Sequence, residues 1–143
     1  MAIRIRNPYY FIAGILAVLF AVTHAWNGQS VELPKLNMES VTVETRIVFT
    51  YVWHIITAEN LIFGFAFLLM SIVREPSKVY FAAGMIVSIL LVRLLVILSV
   101  MILLDASAFG GALLDSVAIV IYIGLILLGI KRRSTPSPIR CVS

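Results

Sequence analysis

The sequence predicts an all-α integral membrane protein, an antiparallel four-helix bundle with both termini in the cytoplasm. The 143-residue chain is 62% hydrophobic and only 13% charged, whereas soluble domains carry about 25% charged residues. Its apolar residues gather in four long segments, and its basic residues collect at the ends of those segments. An ordinary water-facing surface cannot be built from this composition, so the segments are expected to face lipid.

The four predicted spans cover about residues 9–26, 45–73, 79–104 and 112–130, within a single domain over residues 1–133. About 20 apolar residues are enough for a helix to cross a bilayer. A signal peptide is the rival interpretation of the first segment, because a basic start and an apolar run fit both. Thr23-His24-Ala25 is a poor cleavage site, so we expect a retained helix.

Charge asymmetry predicts the orientation. The 27–44 linker contains Glu32, Glu39 and Glu44 against Lys35. The positive-inside rule therefore places this linker outside the cytoplasm, and both termini and the turn at residues 74–78 in the cytoplasm. Residues 134–143 form a predicted cytoplasmic tail. The basic residues on the cytoplasmic side are Arg4, Arg6, Arg74, Lys78, Lys131, Arg132, Arg133 and Arg140.

The 27–44 linker is longer than a turn between adjacent helices requires, and long loops are often lids or binding segments. Val31, Leu33 and Leu36 could anchor it to apolar surface. We expect it to pack over the outer mouth of the bundle, as a short amphipathic helix or as a strand-like excursion.

Five ionisable side chains lie inside or at the edges of the apolar segments. A charge near the bilayer centre costs at least about 2.5–3.5 kcal/mol on insertion scales, so such groups pair, line a wet cavity or hold a ligand. Glu59 and Arg93 fall at similar depth on neighbouring antiparallel spans, which predicts an ion pair between them. The five residues are His24, His54, Glu59, Arg93 and Asp115.

Helical spacing groups other residues by face. Thr50, His54 and Thr57 share one face of the second span, and Glu59 lies about 140° around the helix from His54. In the fourth span, Tyr122 shares the face of Asp115. In the first span a small-residue face allows close helix contact, although alanine is also simply common in membrane helices; this face consists of Gly14, Ala17 and Ala21.

These patterns predict an outward-opening cavity that binds or transports a small or lipid-like molecule. Histidine changes charge near neutral pH, so His54 could carry a proton, and transport and catalysis both remain open. The alternative is a satisfied polar core in an accessory or structural subunit of a larger membrane complex or homo-oligomer. The basic residues flank membrane segments, which favours the lipid bilayer over nucleic acid as a partner. The predicted polar cluster is His54, Thr57, Glu59, Arg93, Asp115 and Tyr122, with His24 nearby.

Haem and metal binding are minor alternatives. Two histidines, His24 and His54, could be axial haem ligands, but their predicted depths differ by about 10 Å unless the first span continues past Trp26. A metal site from these histidines and Asp115 lacks HxxxH or HExxH spacing. The single cysteine, Cys141, excludes a disulfide framework within the chain; it is either palmitoylated or an unmodified thiol.

The first span also supports a family resemblance. Residues 12–20, with the sequence IAGILAVLF, are followed by Thr23-His24. This stretch resembles the opening helix of small four-span bacterial membrane proteins, some of which are grouped with DoxX-like proteins. The resemblance covers the first helix and the four-span layout, and it implies a four-helix bundle in the bacterial inner membrane. It supplies no catalytic residues.

Overall fold

The structure, a computed structural model, describes residues 4–38, 41–104 and 109–132, and every secondary-structure element in these ranges is a helix. This confirms the predicted all-α class. Cys141 and the predicted tail lie outside the described residues. The helices are α1 (Pro8–Asn27), a π-helical segment (Gly28–Glu32), α2 (Leu33–Met38), α3 (Val43–Ile72), α4 (Pro76–Leu104) and α5 (Phe109–Arg132).

Four stretches are long and apolar enough to cross a membrane: Pro8–Leu36, Val43–Ile72, Val79–Leu103 and Leu113–Arg132. Large apolar side chains on these helices are also exposed. Leu103 is 81% exposed and Leu114 is 78% exposed. Lipid is the solvent that tolerates such surfaces on helices whose backbone groups are satisfied internally. The chain therefore has the character of a multi-pass membrane protein, as the composition predicts.

The first helix does not stop near Trp26 but continues through the π-helical segment into α2. Gly28 and Pro34 are residues that often end helices. Here the N–H of Leu33 donates to the carbonyl of Gly28, which closes the wider π turn. Pro34 lies in the first turn of α2, where proline is tolerated. Much of the predicted linker is thus helical, one of the two forms expected for it.

The described chain divides into two compact units. The terminal unit contains the residues up to Tyr10 and those from Met70 onward, and the hairpin unit is Phe11–Leu69. In the terminal unit, α4 packs against α5. Each helix contributes one buried stripe at helical spacing. The stripes consist of Val79, Ala83, Ile86, Val87 and Leu90 from α4, and of Tyr122, Ile123 and Ile126 from α5.

The hairpin unit depends on close contact between α1 and α3. A Cβ added at Gly14 would lie 2.7 Å from Leu68 Cγ and 2.9 Å from the Leu68 backbone nitrogen. Gly64 of α3 is in similarly close contact with α1, since a Cβ added there would lie 2.7 Å from Val18 Cγ2. Ala17 is buried on the same face of α1. The predicted small-residue face is therefore confirmed as a packing face.

A buried asparagine joins three segments of the terminal unit. Asn7 is fully buried, its Nδ2 donates to the Gly129 carbonyl at 2.9 Å, and its backbone N–H donates to the Ser71 carbonyl at 3.0 Å. Its Oδ1 also caps α1 by accepting from the N–H groups of Tyr9 and Tyr10 at 3.1 and 3.4 Å. We call Asn7, Ser71 and Gly129 the Asn7 node.

Candidate ligand groove on helix α3

Trp53 organises the polar part of the hairpin unit. Its indole Nε1 donates to the carbonyl of His24 at 3.0 Å. The His24 ring stacks on the indole with a centroid distance of 4.3 Å and an interplanar angle of 8°. Phe49 lies one helical turn away, with its ring centroid 5.7 Å from that of Trp53. Stacking and hydrogen bonding together fix the backbone of α1 at His24 against α3.

Gly28 makes this arrangement possible. A Cβ at that position would overlap the indole of Trp53, so no larger residue fits without a shift of the ring. The π-helical segment begins at this glycine. One residue later, Gln29 places its Nε2 3.1 Å from Nε2 of His54. If the Gln29 amide donates, His54 accepts at Nε2 and is neutral in this contact.

One face of α3 carries a polar stripe. Arg46, Thr50 and His54 follow one another at intervals of four residues and therefore share a face. The Thr50 hydroxyl donates to the Arg46 carbonyl at 2.8 Å, and the Thr57 hydroxyl donates to the Trp53 carbonyl at 3.2 Å. Since both hydroxyls have donated within the helix, they can only accept from a ligand.

This stripe lies in an open groove of about 610 Å³. Binding pockets for small molecules are typically about 300–1,000 Å³, mostly apolar and furnished with a few polar groups. The groove follows that pattern, since it joins one cation and one imidazole to aliphatic and aromatic surface. Its lining residues are Arg46, Ile47, Thr50, Tyr51, His54, Ile55 and Ala58.

Arg46 supplies the positive charge among the residues that line the groove. Its side chain is half-buried, and its buried Nε forms no hydrogen bond within the part of the chain that the structure describes. A guanidinium carries five donors and remains charged, so it favours carboxylate or phosphate groups. The groove therefore offers a cation without a hydrogen-bonded acceptor at Nε, set beside apolar surface.

The structure brings together only some of the predicted cluster. In the hairpin unit, His24 stacks on Trp53, the Thr57 hydroxyl donates to the Trp53 carbonyl and His54 contacts Gln29. Glu59 is half-buried on the same helix as Trp53. In the terminal unit, Arg93 is half-buried, Asp115 is exposed and Tyr122 is buried. The Glu59–Arg93 ion pair, which would join the two units, stays a prediction.

Sequence reasoning missed Arg46 and Gln29. The face defined by Thr50, His54 and Thr57 reaches Arg46 if it is continued four residues toward the start of α3. That signal was available in the spacing. No such signal pointed to Gln29, because its contact with His54 depends on the continuation of α1 through the π-helical segment.

The same continuation removes the depth argument against a bis-histidine haem site. The helix continues past Trp26, which is the condition under which the predicted offset of about 10 Å no longer argues against such a site. The carbonyl of His24 accepts from Trp53, the residue before His54. The two rings nevertheless have different protein partners, Trp53 for His24 and Gln29 for His54. Over residues 4–38, 41–104 and 109–132, no group of three His, Cys, Asp or Glu side chains is placed to hold a metal ion.

The chemistry of the groove has to be interpreted from its own residues. No family model, no curated protein and no solved structure matches this chain.

Proposed function

We propose that the groove on α3 binds a small or lipid-like molecule with an anionic head group. The observation that carries this proposal is the pairing of Arg46 with apolar groove surface. Arg46 lines the groove, and its buried Nε has no hydrogen-bonded acceptor among the described residues. A carboxylate or phosphate on the ligand pairs with the guanidinium of Arg46, for which a bidentate arrangement is the favoured geometry.

The length of the groove suits an elongated ligand. Twelve residues separate Arg46 from Ala58, or about 18 Å along the helix axis. A head group at Arg46 leaves the remainder of the ligand against Ile47, Tyr51 and Ile55. His54, about 12 Å along the axis from Arg46, is an exposed polar contact within this apolar part. It provides a second point of recognition, or a proton carrier if the ligand is transported or transformed.

The membrane setting belongs to the same proposal. We place the chain in a bacterial inner membrane as an antiparallel four-helix bundle of DoxX-like type, with both termini in the cytoplasm. The charge asymmetry supports this orientation, because the segment between α1 and α3 contains more acidic than basic residues. The groove then opens toward the outer half of the bilayer. Cysteine labelling of Ser40→Cys and Ser137→Cys from opposite sides of the membrane tests it, and labelling from one side contradicts it.

Binding is tested with a matched pair of probes. A fluorescent long-chain fatty acid and the corresponding alcohol are titrated into full-length protein in mild detergent. The acid is expected to bind, and Arg46→Gln is expected to weaken its binding about tenfold or more, because charge-assisted hydrogen bonds contribute about 1.5–3 kcal/mol. The alcohol is expected to bind weakly to both proteins.

Lys35→Gln is the control for loss of a positive charge in the same unit. Lys35 is exposed and already paired with Glu32 at 3.1 Å, so its replacement is expected to leave the binding of the acid unchanged. Equal binding of acid and alcohol, or acid binding that survives Arg46→Gln, overturns the proposal. An accessory-subunit role without a ligand is the outcome favoured if neither probe binds.

A further inference from the structure

The Asn7 node gathers a second set of charged residues, in the terminal unit and separate from the groove. Arg6 precedes Asn7, Arg74 follows Ser71 by three residues, and Arg132 follows Gly129 by three residues. The node joins the three segments by hydrogen bonds of 2.8–3.0 Å. The backbones that carry these three arginines are therefore close to one another. All are exposed. The basic cluster consists of Arg4, Arg6, Arg74, Lys131 and Arg132.

The backbone beneath this cluster is held in place. The N–H of Arg6 donates to the Ser71 carbonyl at 2.8 Å. A Cβ at Gly129 would overlap the ring of Tyr10, so α5 and the start of α1 are in close contact. The Arg132 guanidinium lies 5.7 Å from the centroid of the Tyr9 ring, a cation–π distance. A preorganised set of cations loses less entropy on binding an anion than cations on mobile segments.

We propose that the basic cluster binds the phosphate head group of an acidic phospholipid. Four of its five members are arginines, whose planar guanidinium groups bind phosphate oxygens in pairs. Basic residues beside membrane helices attract anionic lipid by about 1 kcal/mol each near the surface. Glu75 is the acidic residue beside Arg74, so the cluster retains a large excess of positive charge.

Apolar surface next to the cluster favours a phospholipid over free phosphate. Ile5 lies between Arg4 and Arg6 and is 44% exposed, and Leu128 lies one turn before Arg132 and is 50% exposed. Ile72, two residues before Arg74, is also exposed. The acyl chains of a phospholipid can bury these apolar side chains, whereas a free phosphate cannot.

The test is a lipid titration of the full-length protein, read by native mass spectrometry. Detergent-purified protein is titrated with phosphatidylglycerol, with cardiolipin and with phosphatidylcholine. The two anionic lipids are expected to bind in preference to phosphatidylcholine, with a preference that falls as salt rises. Each neutralised member of the cluster is expected to weaken anionic lipid binding about fivefold, so Arg6→Gln/Arg74→Gln is expected to show about a 25-fold loss.

Two further variants separate charge from folding. Arg6→Lys/Arg74→Lys keeps the charge and is expected to retain most of the lipid binding, while Lys35→Gln removes a cation from the other unit and is expected to change nothing. Equal binding of anionic lipid and phosphatidylcholine overturns the proposal. So does unchanged binding in Arg6→Gln/Arg74→Gln, or displacement of phosphatidylglycerol by an equal concentration of inorganic phosphate. Fatty-acid binding in the groove is expected to survive Arg6→Gln/Arg74→Gln, so the two proposals can fail separately.

Discussion

The Asn7 node and the groove around His54 use polar groups in opposite ways. Asn7 is fully buried, and within the described ranges its side chain bonds to backbone groups, at Gly129 and at the first turn of α1. His54 and Gln29 are both exposed and bond side chain to side chain at 3.1 Å. A buried polar group is strongly destabilising when its partner is lost, whereas exposed groups can exchange partners with solvent or ligand at little cost.

The Asn7 node therefore has a structural role, whereas the groove has the features of a binding site. The Asn7 node satisfies the carbonyls of Ser71 and Gly129 from one residue, and so fixes three segments of the terminal unit. The groove leaves Nε of Arg46 without a hydrogen bond among the described residues, and leaves His54 accessible. Replacements in the node are therefore expected to change stability, and replacements in the groove are expected to change binding.

The largest effect on stability is expected from Asn7→Ala. This change removes the donor to Gly129 and the cap of α1, and each buried polar group left without a partner costs about 1–3 kcal/mol. The free energy of unfolding is expected to fall by about 2–4 kcal/mol, measured by SDS denaturation in mild detergent. Asn27→Ala, at the exposed end of α1, is the control and is expected to change it by less than about 0.5 kcal/mol. Equal effects of the two changes would contradict the structural role of the node.

A smaller effect on stability is expected from Gly14→Ala, which tests the close packing of α1 against α3, the helix that carries the groove. The new Cβ would approach the Leu68 backbone nitrogen to 2.9 Å, so the helices must separate. Overpacking of this kind costs about 1–3 kcal/mol. Gly84→Ala is the matched control, because nothing lies within 4 Å of a Cβ there. The melting temperature, followed by circular dichroism, is expected to be clearly lower for Gly14→Ala than for Gly84→Ala. The opposite order would exclude close packing of α1 against α3.

The smallest of these effects is expected from Trp53→Phe. This change keeps an aromatic ring but removes the N–H that donates to the His24 carbonyl at 3.0 Å. A single hydrogen bond contributes about 1 kcal/mol. Amide hydrogen exchange over residues 28–36 is expected to become faster, because Trp53 secures α1 where the π-helical segment begins. Trp26 is 76% exposed, so Trp26→Phe is the control and is expected to leave the exchange rates unchanged. Identical exchange rates in the two variants would show that Trp53 does not hold α1 in place.

Local sequence patterns were sufficient for the all-α class, for four helices that could span a membrane and for one packing face. The four apolar segments predict membrane-spanning helices because length and hydropathy alone set that property. Gly14, Ala17 and Ala21 predict close packing because their spacing places them on one face, and the structure buries all three. These features depend on neighbours within a few turns of one helix.

Contacts between distant residues decided the rest. Asn7 lies outside every predicted span, and its importance comes from a carbonyl 122 residues away. The path of α1 beyond Trp26 depends on Trp53 occupying the space that Gly28 leaves, and this path brings Gln29 to His54. Sequence by itself determined that the chain is helical and apolar enough for a membrane. Tertiary structure alone decided which polar groups are satisfied and which remain accessible, because hydrogen-bond partners and burial are properties of packed segments, not of any one of them.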